Sequence, residues 1–136
     1  MKVSTRGDYA ARALLSLALH GSDHPTSVKE IAERTGLPQP YLEQILLAVK
    51  GAGLVRSKRG VGGGYVLARP PEQITLADIL AAVDGPLITL MDEHDHCEGH
   101  CVLQEVWVEL SEETSKVLDR FTLADLVTRT TVGHAR

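Results

Sequence analysis

At 136 residues with 43% hydrophobic content, the chain is large enough for one compact domain, or a small domain with an appendage, and should fold without disulfide staples. Lys2, Arg6, Asp8 and Arg12 interrupt the first apolar stretch, so neither a signal peptide nor a membrane span is expected there, and a cytoplasmic protein is. The formal net charge of −4 conceals an asymmetry: residues 1–70 hold ten Lys/Arg against five Asp/Glu, residues 71–136 four against thirteen, as in a polyanion-binding head with an acidic tail.

Ser4 precedes apolar residues at Ala10, Ala13, Leu14, Leu17 and Ala18, the spacing of an amphipathic helix that stops near Gly21. In Ser27-Val28-Lys29-Glu30 the serine and glutamate can cap each other's backbone N–H groups, so a short second helix is expected from Val28 to about Thr35. Gly36 suits the positive φ of a helix end and Pro40 the first turn of the next helix, predicting a third helix over 40–51. Residues 54–58 and 65–68 are short, partly alternating segments joined by Arg59-Gly60-Val61-Gly62-Gly63-Gly64, the pattern of an antiparallel hairpin with a flexible tip.

Pro70-Pro71 breaks the pattern and divides the expected regions, 1–70 and 71–136. Thr75-Leu76-Ala77-Asp78 starts a capped helix that reaches Val83 and is closed by Asp84-Gly85-Pro86. Beyond a loop of about 15 residues, a long helix is expected from Val102, with Leu103, Val106, Trp107, Leu110, Val117, Leu118 and Phe121 at helical spacing. Thr122-Leu123-Ala124-Asp125 repeats the earlier capping pattern and launches a short final helix, with 132–136 as a frayed end. Capping chemistry explains the echo better than duplication, because the surrounding residues do not repeat.

The second helix, the turn through Gly36 and the third helix have the length and turn chemistry of a helix-turn-helix, and the hairpin follows as a wing. The expected fold is therefore mainly α with a small β-hairpin: a winged helix-turn-helix over 1–70, then a sensor loop and a long dimerisation helix. Gln39, Tyr41, Glu43 and Gln44 are the exposed candidates for DNA contact at the start of the third helix, Tyr41 toward a phosphate or sugar, while Leu42, Ile45 and Leu46 face inward. Lys50, Arg56, Lys58 and Arg59 surround the hairpin. Gly62 and Gly63 let its backbone approach a groove, with Arg59 reaching a phosphate or a narrow minor groove. Leu103, Trp107, Leu110 and Phe121 exceed what a small head can cover, so a homodimer reading a palindromic double-stranded operator is expected. No Ser/His/Asp order, nucleotide loop or HExxH pattern supports an enzyme.

Residues 92–101 gather two thiols, Cys97 and Cys101, three imidazoles, His94, His96 and His100, and four carboxylates. Thiolates and imidazoles suit an iron–sulfur cluster or zinc, and the direct competitor is a solvated acidic loop whose cysteines act as reactive thiols.

The whole pattern resembles the Rrf2 family of bacterial transcriptional regulators over nearly the entire chain. The resemblance is carried by residues 4–9, Tyr41-Leu42-Glu43-Gln44, Gly53-Leu54-Val55, the Arg59-Gly60-Val61-Gly62-Gly63-Gly64-Tyr65 wing, Ala82-Val83-Asp84, Cys101 six residues before Trp107, and Thr122-Leu123-Ala124-Asp125-Leu126. It implies a homodimer joined through the long helix, with Tyr41, Glu43, Gln44 and Arg59 near DNA. Cluster-binding relatives place three cysteines in the loop, whereas here the first position falls near Asp92, and Gln104 stands where the iron–sulfur cluster regulator has a ligand histidine. In the nitric-oxide-sensing member an aspartate early in the first helix reaches the cluster across the dimer, and Asp8 matches it. The implied ligand set is Cys97, Cys101, one of the three histidines, and Asp8 of a second subunit. Such mixed ligation favours a 2Fe–2S cluster, with zinc or a cluster-free thiol regulator as alternatives.

Overall fold

The computed structural model describes residues 3–20, 24–85 and 98–133. Six α-helices and one hairpin make up those residues: α1 (Thr5–Leu19), α2 (Val28–Thr35), α3 (Gln39–Gly51), β1 (Val55–Lys58), β2 (Gly64–Leu67), α4 (Leu76–Val83), α5 (His100–Arg120) and α6 (Leu123–Thr128). A 3-10 turn (Pro71–Gln73) precedes α4 and a π turn (Arg129–Gly133) follows α6, where a frayed end was expected to begin at Val132.

The helix starts follow the capping chemistry in the sequence. Ser4 Oγ accepts from the Gly7 N–H at 2.9 Å and Ser27 Oγ from the Glu30 N–H at 3.1 Å. Thr75 and Thr122 each form a complete capping box, with Asp78 and Asp125 accepting from the threonine N–H at 3.0 Å in both. The two boxes also face one another. Thr75 and Thr122 form an antiparallel bridge in which the Leu76 N–H donates to Phe121 O and the Leu123 N–H to Ile74 O, both at 2.9 Å. The repeated motif thus places two helix starts side by side, and its second copy fixes the C-terminal helix against the fourth.

α1 is the centre of the molecule and packs against α2, α3, α4 and α6. Its buried face, Ala10, Ala13, Leu14 and Leu17, meets Ile31, Leu42, Ile45, Leu46, Val49, Leu54 and Leu67 in a single hydrophobic cluster. Ile74, Ile79 and Leu123 enter the same cluster, so residues on both sides of Pro70 share one core and the break at Pro70-Pro71 is a turn of the chain within it. Gly7 allows the close approach of α4 to α1, since a Cβ there would lie 2.6 Å from Leu80 Cδ2. Nearby, Ser4 Oγ donates to the Asp84 carboxylate, tying the start of α1 to the end of α4.

α5 is different in kind. None of the described side chains along its 21 residues is buried, although its axis packs on α4. The helix starts at His100, two residues before the expected Val102, because Gly99 takes φ +79° and turns the chain into the helix without a side-chain cap. Cys101 therefore lies in the first helical turn.

Candidate nucleic-acid interface

α2 ends on Gly36 in the left-handed conformation, φ +73°, which reverses the chain in a few residues and leaves Leu37 buried as the hinge of the turn. Pro38 is extended and Pro40 occupies the second helical position, so α3 starts abruptly and at a fixed angle to α2. With Leu42, Ile45, Leu46 and Val49 turned into the core, the opposite face of α3 presents Gln39, Glu43, Gln44 and Lys50 to solvent. That row is amide- and carboxylate-rich and can address the donor and acceptor edges of base pairs.

Tyr41 is not part of the row. It was expected to be exposed, yet its ring is half-buried and meets Tyr9 edge-on, with centroids 5.5 Å apart and an interplanar angle of 88°. The stacking partner comes from α1, distant in sequence, which is why helical periodicity in α3 alone misplaced it. One exposed residue on α3 was also missed: Leu47 stands among the polar side chains with 61% of its surface exposed.

The wing pairs Val55 with Leu67, Arg56 with Val66, Ser57 with Tyr65 and Lys58 with Gly64. A third segment completes it, because Thr26 and Tyr65 exchange both backbone hydrogen bonds, at 2.9 and 2.8 Å, so the approach to α2 fixes the position of the hairpin, which packs on α3 through β1. Arg56, Lys58 and Arg59 are exposed, and with Lys50 they form no ion pair with another described residue. Arg12, Arg34, Arg69 and Lys116 are each engaged with a carboxylate. Lys50, Arg56, Lys58 and Arg59 thus place four cations without a carboxylate partner among the described residues on the wing and the end of α3, available for phosphate contacts.

The tip glycines divide by role. Gly62, exposed with φ +76°, sits beside Val61, which is fully exposed. Gly63 is half-buried, and a Cβ on it would lie 2.4 Å from the Lys58 carbonyl oxygen, so the hairpin's own closure demands that glycine. Gly64, with φ +151°, faces the Thr26 carbonyl.

Of the expected metal ligands, His94, His96 and Cys97 lie outside the described residues. His100 opens α5, and Cys101 follows it as an exposed free thiol. Asp8 is in the first turn of α1, where its carboxylate pairs with Arg12 at 2.9 Å and is half exposed. Among the described residues no three His, Cys, Asp or Glu side chains come together as a metal site. No helix among them is long and apolar enough to cross a membrane.

Along α5, Leu103, Trp107, Leu110, Thr114, Val117 and the following Phe121 recur at alternating four- and three-residue steps, the spacing of a coiled-coil seam. Leu103, Trp107 and Leu110 are 51%, 44% and 39% exposed, and Val117 is also open. Phe121 is half-buried and partly covered within its own chain, with the Arg129 guanidinium 4.8 Å from its ring centroid.

Residues 3–129 match the Rrf2 family, described as "Iron-dependent Transcriptional regulator". The transcriptional regulator CymR of Bacillus subtilis is 36% identical over 96% of this chain and 92% of its own length. Among solved structures, B. subtilis CymR, "the Global Cysteine Regulator", superposes with a TM-score of 0.83 at 38% identity, covering 96% of this chain and 98% of that one. T. potens IscR gives 0.82 at 39% identity, covering 100% and 93%. With a winged helix-turn-helix, a cationic hairpin and a match along nearly its whole length, the chain belongs to the Rrf2 family of DNA-binding transcriptional regulators and is not an enzyme.

Proposed function

We propose that the chain acts as a two-fold dimer, joined along α5, that reads a palindromic operator and takes its signal from residues 92–101. The observation that carries this reading is the unburied apolar seam of α5. A contiguous stripe of Leu, Trp and Val on a soluble helix marks an interaction surface, and a second copy of the same stripe is its self-complementary occupant. Two-fold pairing then presents two copies of α3, each to one half-site.

The donor set in residues 92–101 fits a small cluster or a zinc ion: two thiolates, three imidazoles and no third cysteine. We read it as a 2Fe–2S site held by Cys97, Cys101 and one of His94, His96 or His100, with Asp8 of a second subunit as a weak fourth ligand. Bound there, a cluster would supply redox and nitric-oxide reactivity. The description of the family as iron-dependent supports this assignment. The chain's own contribution is the route from that site to DNA. α5 starts beside Cys101 and packs on α4, and α4 packs on both α1 and α3. A shift at the start of α5 is thereby transmitted to the recognition helix, and the spacing of the two recognition helices is the switched variable.

Likeness to CymR favours a second reading, in which the two thiols, zinc or a protein partner provide the signal without a cluster. Anaerobic purification followed by visible absorption with iron, sulfide and zinc analysis separates the two. A coloured protein that becomes colourless in Cys97→Ala and Cys101→Ala, and loses its iron faster in Asp8→Ala, is the expected result. A colourless wild type without iron and sulfide gives the second reading instead, and metal retained in both cysteine variants contradicts the ligand set.

DNA binding by the wing has its own test. Arg59→Ala should weaken binding to a random-sequence duplex and lower the slope of log K against log salt by about 0.9 per subunit, one phosphate contact each. An unchanged slope would remove Arg59 from the DNA surface. The substitution leaves the fold intact, because the side chain is exposed and held by no ion pair with a described residue.

A further inference from the structure

We propose that Leu47 reads sequence, packing on the 5-methyl group of a thymine in each half-site; the proposal rests on α3 being the recognition helix. Of the leucine, isoleucine and valine side chains of α3, Leu42, Ile45, Leu46 and Val49 are at most 1% exposed, whereas Leu47 is 61% exposed. At about 100° per residue, Leu47 projects between Glu43 and Gln44, roughly 40° from the first and 60° from the second, with Lys50 one turn further on. It therefore occupies the middle of the polar face, where a leucine contributes nothing to the core.

A leucine side chain neither donates nor accepts a hydrogen bond, so phosphates and the polar base edges offer it no partner. Thymine alone displays an apolar group in the major groove, and contact with its methyl is the one form of base readout open to an aliphatic side chain. The neighbouring Glu43 carboxylate can accept from a cytosine amino group, so the Glu43 and Leu47 pair combines polar and apolar readout on one helix face. The dimer seam lies on another element, α5, and leaves this face of α3 free for DNA.

The experiment starts by selecting bound sequences from a pool of random duplexes with the wild-type protein. Uracil then replaces each thymine of the selected duplex in turn, which deletes only the methyl group. At one thymine per half-site, uracil should weaken wild-type binding about fourfold, the equivalent of one buried methyl. Leu47→Ala should bind the thymine and uracil duplexes alike, with base preference relaxed at that position and retained elsewhere. If the uracil series moves wild type and Leu47→Ala equally, or moves neither, Leu47 does not read a methyl and the proposal fails while the recognition helix stands. If Leu47→Ala changes the sedimenting mass, the side chain belongs to a protein contact and the proposal fails in that way. If the wild type enriches no sequence, the assignment of α3 fails, and the role of Leu47 with it.

Discussion

Leu103→Glu combined with Leu110→Glu is expected to convert the protein to a monomer and to weaken operator binding by two to four orders of magnitude. Both side chains lie in the α5 stripe and both are open in the single chain, so carboxylates there cost the isolated subunit little. In a dimer the same substitutions would place four like charges in an apolar seam with no cation in it, which excludes close pairing. Binding at a palindrome then loses the intramolecular second half-site contact, a factor on the order of 10²–10⁴. Sedimentation gives the mass, far-UV circular dichroism shows that the helices persist, and titration with operator gives the affinity. A double variant that remains a dimer would place the seam elsewhere on the chain.

Gly64→Ala is expected to be the most damaging single substitution in the wing. A Cβ at this position would lie 2.3 Å from the Thr26 carbonyl oxygen and 2.7 Å from the Ser27 nitrogen, both of them backbone atoms that no rotamer change can move. The residue also has φ +151°, a conformation that alanine adopts only under strain. Relief requires the hairpin to separate from residue 26, breaking both hydrogen bonds between Thr26 and Tyr65. Strain and lost hydrogen bonds together should cost about 2–4 kcal/mol in urea denaturation. Gly62→Ala is the control, since its Cβ would meet nothing within 4 Å and only its φ of +76° is unfavourable, for a loss of about 1 kcal/mol. Equal losses in the two variants would show that the contact with Thr26 does not hold the wing.

Local chemistry made most of the fold legible in advance. Serine caps, Gly36 and Pro40 mark the helix ends of the head, threonine caps start α4 and α6, and alternation around the glycine run located the hairpin to within a residue or so at each strand end. What escaped the sequence depends on contacts between distant segments. Tyr41 is drawn inward by Tyr9, Thr26 joins the hairpin from before α2, and the threonine caps Thr75 and Thr122 pair although they are far apart in the chain. The early start of α5 had a local cause that was available, Gly99, but glycine reads more readily as a helix stop than as a helix start. Leu47 was passed over because an isolated exposed leucine is ordinary on a protein surface. Its meaning comes from the neighbours that the helix places beside it.

The same distinction applies to the candidate sites. The cations of the wing were found from composition and spacing, and their availability follows from the ion pairs that occupy Arg12, Arg34 and Arg69 but not Lys50, Arg56, Lys58 or Arg59. Asp8 illustrates the opposite situation. Its pairing with Arg12 is an exposed i, i+4 contact, worth little in itself, and a metal ligand in that position would only have to displace a weak ion pair.

In the proposed assembly two chains, paired along α5, present two copies of α3 to one operator. Native mass spectrometry of the wild-type protein on the duplex selected from a random pool tests it most directly, with the sequence of that duplex read alongside the mass. The expected result is a complex of two chains per duplex, bound to an inverted repeat whose half-sites are separated by a whole number of helical turns, about 10 base pairs each. A single chain bound to an asymmetric site, with no second chain added as protein is raised, would contradict it.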